Sequence, residues 1–155
     1  MCVYLLAPVA NNGSLIGVDK LWDTMLAWFN MHTNYGIVIM GRKMWNFLKQ
    51  KPLPNRRHII VSRKYHQDDS VEWCTTLKEA LDIAGYCPVY IIGGKELFHT
   101  ALLYNIVDAC ILTHVDMDID SGVVLPTRRK TIWTSSKMEH NGLSFHFELS
   151  LLSKN

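Results

Sequence analysis

The chain has 155 residues, of which 48% are hydrophobic and 19% are charged. This composition is too apolar for a disordered chain and too mixed for a coiled coil, and the length predicts one domain over residues 1–155 with a sizeable core. Sixteen Lys and Arg against fourteen Asp and Glu give a net charge of +2. We therefore expect no nucleic-acid partner, because such proteins usually present a clustered basic face.

Membrane and targeting segments are not predicted. No apolar run approaches the roughly 20 residues that cross a bilayer, and the first twelve residues have no basic segment before their short apolar run. Cys2, Cys74, Cys87 and Cys110 form no CxxC pair, so we expect neither a metal site nor disulfides and interpret all four as buried, reduced thiols. We predict a cytoplasmic protein without a membrane partner.

Apolar runs of strand length alternate with helical patterns, which indicates an α/β fold with a mostly parallel sheet. The apolar runs predict strands over residues 3–9, 37–40, 58–62, 88–92, 107–115, 132–138 and 143–151. The helical patterns predict helices over residues 22–33, 41 to about 49, 76 to about 84, and 95–103. We expect Asp23 to cap the first helix, and Thr76 with Glu79 to form the capping box of the third. Asn141-Gly142 predicts a hairpin, and hence an antiparallel C-terminal edge.

Three junctions between a strand and the residues after it carry cations or glycines. They are Gly41-Arg-Lys43, Ser62-Arg-Lys64 and the pair Gly93-Gly94, which opens a helix. Glycines allow close backbone approach, and a helix N-terminus offers free N–H groups to a phosphate. Each junction alone is more typical of solvated charge or a tight turn. Together they predict an anionic nucleotide at the carboxyl edge of the sheet, where such ligands usually bind.

Five motifs occur in order along nearly the whole chain. They are Ile39-Met-Gly-Arg-Lys-Met-Trp45, Pro52-Leu-Pro-Asn-Arg56, Ile60-Val-Ser62, Tyr90-Ile-Ile-Gly-Gly94 and Leu112-Thr-His-Val-Asp116. In this order and at these spacings they resemble the dihydrofolate reductase family. The resemblance implies a central eight-stranded, mostly parallel sheet with an antiparallel C-terminal strand, flanked by about four helices. It also implies a monomer that uses NADPH as cofactor and transfers a hydride to dihydrofolate.

The resemblance further implies a role for each matching residue. Ser62 and Arg63 would lie at the cofactor's 2′-phosphate, and Arg56 would pair both oxygens of the substrate's α-carboxylate, which suits a planar guanidinium. The other implied cofactor contacts are Pro8, Ile16, Arg42, Lys43, Met44, Gly93, Gly94, Lys95, Glu96 and Phe98. The apolar slot for the substrate would be lined by Leu6, Leu26, Phe29, Leu48, Leu53 and Ile92, with Trp22 beside it. Ordinary core packing is the alternative interpretation of these apolar residues.

Met25 is the main departure from the family pattern. The family carries Asp or Glu there, which hydrogen-bonds the pterin and promotes its protonation, whereas a thioether is at best a weak acceptor. Asp23 is no substitute, because two residues back on a helix is about 200° around the axis. Thr113, the usual partner of the missing carboxylate, could hold a water instead. Pro8 also departs, because it has no N–H for the cofactor's carboxamide.

Three functions therefore remain open. The first is NADPH-dependent reduction of dihydrofolate, with weak or altered catalysis and poor binding of antifolates. The second is a non-catalytic nucleotide-binding or structural protein that retains the fold. The third is reduction of another heterocycle, which Arg56 argues against, since a substrate without a carboxylate tail needs no clamp.

Overall fold

The computed structural model describes residues 2–64 and 69–154. The strands are β1 (Val3–Val9), β2 (Ile37–Gly41), β3 (Arg57–Val61), β4 (Glu72–Cys74), β5 (Val89–Ile91), β6 (Ala109–Val115), β7 (Arg129–Thr134), β8 (Met138–His140) and β9 (Leu143–Leu152). The helices are α1 (Trp22–Thr33), α2 (Arg42–Phe47), α3 (Leu77–Ala84) and α4 (Lys95–Leu103), with a 3-10 helix at Val18–Leu21. Within the described residues, no helix is long and apolar enough to cross a bilayer.

One mixed sheet organises the molecule, in the order β4-β3-β2-β5-β1-β6-β9-β7, with β8 also paired to β9. The strands from β4 to β6 are parallel, and β9 runs antiparallel to β6, β7 and β8. This confirms the predicted fold class. The parallel strands also bring the carboxyl ends of β1, β2, β3 and β5 to one edge, as the nucleotide prediction required.

The C-terminal strands differ in number from the expectation. The run over residues 132–138 forms two strands, so the described part of the sheet has nine strands instead of eight. A register shift between Thr131 and Trp133 interrupts the pairing of β7 with β9, and β8 then pairs separately through the hairpin. The hairpin prediction is confirmed: Asn141 and Gly142 both have positive φ, as a tight two-residue turn requires.

Both faces of the sheet are covered by helices. The core on one face, the α3/α4 core, contains Leu5 and Phe98, and the core on the other face, the α1/α2 core, contains Leu6 and Phe29. Consecutive residues of β1 thus enter opposite cores, because side chains of a strand alternate between the two faces. A strand buried on both faces reads as a continuous apolar run, which is why the sequence pattern located it.

Two helix caps differ from the expectation. Asp23 is not the N-cap of α1; Leu21 holds that position without a side-chain hydrogen bond, because the 3-10 helix leads directly into α1. Thr76 does cap α3, accepting from the Glu79 N–H at 3.1 Å, but the Glu79 carboxylate returns to the Thr75 hydroxyl at 2.8 Å. The second hydrogen bond of the capping box is therefore made to Thr75, one residue before the N-cap.

The cysteine prediction is wrong for two of the four residues. Cys74 and Cys110 are buried, whereas Cys2 and Cys87 are exposed and lie just before β1 and β5. All four are free thiols. Burial raises the pKa of Cys74 to about 11 and that of Cys110 to about 12, so both stay protonated near neutral pH. No cluster of His, Cys, Asp or Glu suited to a metal occurs in residues 2–64 and 69–154.

Candidate active site

The carboxyl ends of β2 and β5 are joined at the glycine pair. The Gly41 N–H donates to the Gly93 carbonyl at 2.8 Å, and the Ile92 N–H donates to the Ile39 carbonyl at 3.0 Å. The peptide bond between Gly93 and Gly94 is cis, and Gly93 has a φ of +116°, a conformation that L side chains rarely adopt. Gly94 then caps the nine-residue helix α4 with no side chain over its first N–H groups. This leaves backbone donors at the sheet edge for a negatively charged group.

Cationic and hydroxyl side chains follow β2 and β3 at the same edge. Gly41 pairs in register with Val61, so Arg42 and Ser62 emerge from adjacent strands side by side. The Arg42 Nη1 atom is buried and makes no hydrogen bond among the described residues. A buried guanidinium nitrogen without an acceptor is costly, and an anion at this position would satisfy it. Arg63 next to Ser62 is exposed.

The remaining predicted cofactor contacts fall into two groups. Lys43, Lys95 and Glu96 are exposed at this edge, and the Lys95 ammonium donates to the Ser121 carbonyl at 3.3 Å. The buried group consists of Pro8, Ile16, Met44 and Phe98. Phe98 lies fully in the α3/α4 core with its ring against Gly93, where an added Cβ would stand 3.4 Å from the ring. Phe98 therefore packs beneath the glycine turn and shapes it.

The predicted substrate slot lies between α1 and α2 on the α1/α2 core. The structure brings Leu6, Phe29 and Ile92 together there, fully buried, with Leu48 and Leu53 partly buried against them. Leu26 is half-buried on α1 and lies outside that core. Trp22 packs over the same core, with its ring centroid 5.1 Å from that of Phe29 and 5.8 Å from that of Phe47. The apolar residues named by the resemblance thus form one contiguous wall, apart from Leu26.

Met25 and Thr113 mark the inner end of this wall. Met25 has no exposed surface and belongs to the α1/α2 core. Thr113 follows Ile111 by two residues on β6, so its side chain faces the same core. The Thr113 hydroxyl is buried and makes no hydrogen bond among the described residues. The α1/α2 core therefore contains an unpaired hydroxyl on the face it shares with Met25, the position where the family pattern has a carboxylate.

No buried acid from elsewhere in the described ranges replaces that carboxylate. The buried acidic side chain there is Glu148, which contacts the His114 Nε2 atom at 2.9 Å and the Arg129 Nε atom at 2.9 Å. Burial opposes ionisation of Glu148, but Arg129 and His114 together hold its pKa below the usual range. His114 on β6 and Arg129 on β7 thus keep Glu148 charged, and Glu148 is paired with them and not placed beside Met25.

Arg56 is fixed at the outer end of the slot. Its Nη1 atom donates to the Asn30 side-chain oxygen at 2.7 Å and to the Thr33 hydroxyl at 3.0 Å, and its Nε atom donates to the Pro54 carbonyl at 3.0 Å. The guanidinium carbon stands 5.8 Å from the centre of the Phe29 ring, and burial lowers the Arg56 pKa. The guanidinium is therefore held rigidly beside the apolar wall.

Sequence reasoning missed four residues that build this site. Asn30 and Thr33 hold Arg56, and the Thr33 hydroxyl donates to the Phe29 carbonyl at 2.9 Å. His58 accepts from the Leu53 N–H at 3.0 Å, which fixes the loop after α2. Phe47 contacts Trp22 across the slot. Asn30 and Thr33 are spaced along α1 so that they follow its wall residues, and this spacing could have indicated them. No pattern in the sequence indicated the partners of His58 and Phe47.

Comparison with known proteins identifies the family. The dihydrofolate reductase family model matches residues 5–150. The dihydrofolate reductase of Buchnera aphidicola subsp. Acyrthosiphon pisum (strain APS) is 28% identical over 163 residues, covering 99% of this chain and 100% of that protein. Schistosoma mansoni dihydrofolate reductase has a similar structure, with a TM-score of 0.84 at 23% identity over 99% of both chains.

A second solved structure shares the fold. Dihydrofolate reductase from Enterococcus faecalis, complexed with NADP(H) and RAB-propyl, has a TM-score of 0.79 at 17% identity, covering 97% of this chain and 95% of that one. The family match extends from β1 into β9 and includes every strand end described above. The chain therefore belongs to the dihydrofolate reductase family.

Proposed function

We propose that the protein reduces dihydrofolate to tetrahydrofolate with NADPH. The observation that carries this proposal is the unpaired Arg42 Nη1 atom and the glycine turn at the carboxyl edge of the sheet, beside an apolar wall. That wall contains Ile92, directly before the turn, and ends at Arg56. A nucleotide and a flat, carboxylate-bearing substrate would meet at this junction. Both reactants are then oriented by the protein, which is its main task when a cofactor supplies the chemistry.

The cofactor side rests on charge and backbone donors. Arg42 and Lys43 after β2, with Ser62 and Arg63 after β3, would hold the 2′-phosphate, and the N–H groups at the start of α4 would face the pyrophosphate. NADPH, when bound there, would supply the hydride. The Enterococcus faecalis relative is complexed with NADP(H), which supports the choice of a nicotinamide nucleotide.

The substrate side rests on shape and on Arg56. The apolar wall suits a planar ring system, and Arg56 would pair the α-carboxylate of a glutamate tail. Asn30 and Thr33 engage the Nη1 atom and the Pro54 carbonyl engages the Nε atom. These bonds orient Arg56, and its Nη2 atom would contact the carboxylate. A reductase of tail-less heterocycles would have no use for this arrangement.

Proton delivery is the step that Met25 changes. Without a carboxylate at this position, no buried acid within residues 2–64 and 69–154 is left in the slot to bring a proton to the pterin. A positioned acid or base typically contributes about 10²- to 10⁴-fold. The Thr113 hydroxyl has no hydrogen-bond partner among the described residues, and it would hold a water that delivers the proton slowly. We therefore propose a weak reductase. The absence of a carboxylate at Met25 also favours the second candidate, a non-catalytic nucleotide-binding protein.

NADPH oxidation in the presence of dihydrofolate tests the proposal, with NADPH affinity titrated separately. We expect slow dihydrofolate-dependent oxidation, and loss of NADPH binding in Arg42→Ala but not in the matched surface variant Lys137→Ala. NADPH binding without turnover would establish the non-catalytic candidate. Turnover of a tail-less pterin in preference to dihydrofolate would overturn the substrate assignment.

A further inference from the structure

The slot is closed in this structure. Leu6, Met25, Phe29, Ile92 and Thr113 each have an exposed fraction of 0%. A ligand in contact with a side chain approaches it within about 4.0–4.5 Å, which is impossible for a side chain without exposed surface unless a neighbour moves. No substrate ring reaches these five side chains, therefore, until a covering side chain is displaced.

Two aromatic rings from facing helices cover the wall. Trp22 is the first residue of α1 and Phe47 is the last residue of α2. The Trp22 ring packs tilted against Phe29, and its centroid lies 5.8 Å from that of Phe47, with the two planes at 71°. This edge-to-face geometry is the favourable one for aromatic pairs. Trp22 thus bridges from the inner wall to the opposite helix.

The two partners are anchored very differently. Backbone hydrogen bonds fasten the end of α2, from the Leu48 N–H to the Met44 carbonyl at 3.1 Å and from the Lys49 N–H to the Asn46 carbonyl at 2.9 Å. Trp22, in contrast, follows a four-residue 3-10 helix, and the N-cap of α1 has no side-chain hydrogen bond. Uncapped helix ends open at low free-energy cost. Trp22 is therefore the moving part and Phe47 the fixed one.

We infer that the Trp22–Phe47 contact, the aromatic latch, holds the slot closed, and that Phe47 is a positioning residue that limits substrate entry. This inference rests on the proposed function, since it concerns entry to the proposed substrate slot. The latch lowers the apparent affinity for substrate by the fraction of molecules that are open. An aromatic pair typically contributes enough to change that fraction about 2- to 10-fold. The proposed cofactor edge, formed by residues 41–43, 62–63 and 93–96 at the carboxyl ends of β2, β3 and β5, does not include the latch residues, and we expect it to be unaffected.

Oxidation of Met25 measures the opening without any substrate. The protein is exposed to dilute hydrogen peroxide, and sulfoxide formation is followed by peptide mass spectrometry in wild type, Phe47→Ala and Phe47→Tyr. We expect Met25 to oxidise about 2- to 10-fold faster in Phe47→Ala and at the wild-type rate in Phe47→Tyr, which retains the ring. Met40, equally buried on β2, is the internal control, and Met31, 66% exposed on α1, sets the fast limit. An unchanged Met25 rate in Phe47→Ala overturns the inference.

Steady-state kinetics on the same proteins connect the opening to substrate entry. Phe47→Ala is expected to lower the KM for dihydrofolate about 2- to 10-fold, with kcat and NADPH affinity unchanged, whereas Leu103→Ala, at an exposed position on α4, changes none of them. Faster Met25 oxidation with an unchanged KM would overturn the role in substrate entry. If Met25 oxidises faster but neither the wild type nor any variant turns over dihydrofolate, the proposed function is overturned. The inference that the latch closes the slot then still holds.

Discussion

The proposed cofactor edge and the proposed substrate slot are built from different kinds of residue. At the cofactor edge, Lys43, Arg63 and Lys95 are exposed, and the glycine turn presents backbone groups. In the slot, the wall around Met25 and Phe29 is fully buried, and Trp22 covers it. The proposed nucleotide end thus presents exposed cations and backbone groups in this conformation, whereas the proposed substrate end is covered and has no carboxylate at Met25. The departures from the family pattern touch both ends, at Met25 in the slot and at Pro8 on the cofactor side.

The largest effect is expected from placing a negative charge at position 25 in the slot. Met25→Asp places a carboxylate on the face that Thr113 shares, and we expect dihydrofolate reduction to rise tenfold or more near neutral pH, because a positioned acid contributes at least that much. Binding of protonated diaminopyrimidines should also tighten, since a buried cation needs an anionic partner. NADPH oxidation and ligand titration measure the two effects.

Met25→Leu is the matched control for that variant, because it conserves volume and hydrophobicity. It should leave activity unchanged, whereas Met25→Asp should lose about 1–3 kcal/mol of unfolding free energy without ligand. If Met25→Asp folds, binds NADPH and gains neither activity nor diaminopyrimidine affinity, the slot is not shaped for a pterin.

The next largest effect is expected from Arg56→Lys, at the outer end of the slot, on the affinity for dihydrofolate. An ammonium cannot reproduce both the paired contact to a carboxylate and the bonds that Arg56 makes to Asn30 and Thr33. Affinity for dihydrofolate should fall about tenfold, and affinity for a pterin without the glutamate tail should fall less. Equal losses for the two ligands would show that Arg56 has only a structural role.

At the cofactor edge, Arg63→Ala should weaken NADPH binding about 3- to 10-fold and leave NADH binding nearly unchanged. Arg63 is exposed, so its contact with a phosphate is partly screened by water and salt. Fluorescence titration with both cofactors at two salt concentrations measures the difference. Equal affinity of the wild-type protein for NADPH and NADH would contradict the placement of the 2′-phosphate between β2 and β3.

The smallest effect is expected on the scaffold that both ends share. Burial lowers the pKa values of His32, His58 and His114, so the folded protein resists protonation that the unfolded chain accepts. Stability is then full above the unfolded histidine pKa of about 6.5 and declines as the pH falls below it. Urea unfolding between pH 7.5 and pH 5 should show this decline, and His58→Gln should reduce it. A stability that rises on acidification would contradict the burial of these rings.

Local signals in the sequence located most elements of the fold and the strand ends at which we propose the cofactor to bind. Strands buried on both faces appear in the sequence as continuous apolar runs. Thr76 caps its helix and Asn141-Gly142 forms its turn through residues only a few positions away. Gly93-Gly94 stands directly between a strand and the following helix. The same locality explains the failure at Asp23, where the preceding 3-10 helix, not the side chain, set the start of α1. β4 is only three residues long and forms through its pairing with β3, so it had no pattern of its own.

The sequence by itself determined the family, the cofactor-edge motifs and the absence of a carboxylate at Met25, because each is written in contiguous or regularly spaced residues. Only the tertiary structure decided that Trp22 meets Phe47, that Asn30 and Thr33 hold Arg56, and that the wall is closed. These contacts join residues far apart in the chain whose side chains are each compatible with many partners. Their pairing follows from how α1 and α2 pack on the sheet, and packing of this kind leaves no periodic signal in the sequence.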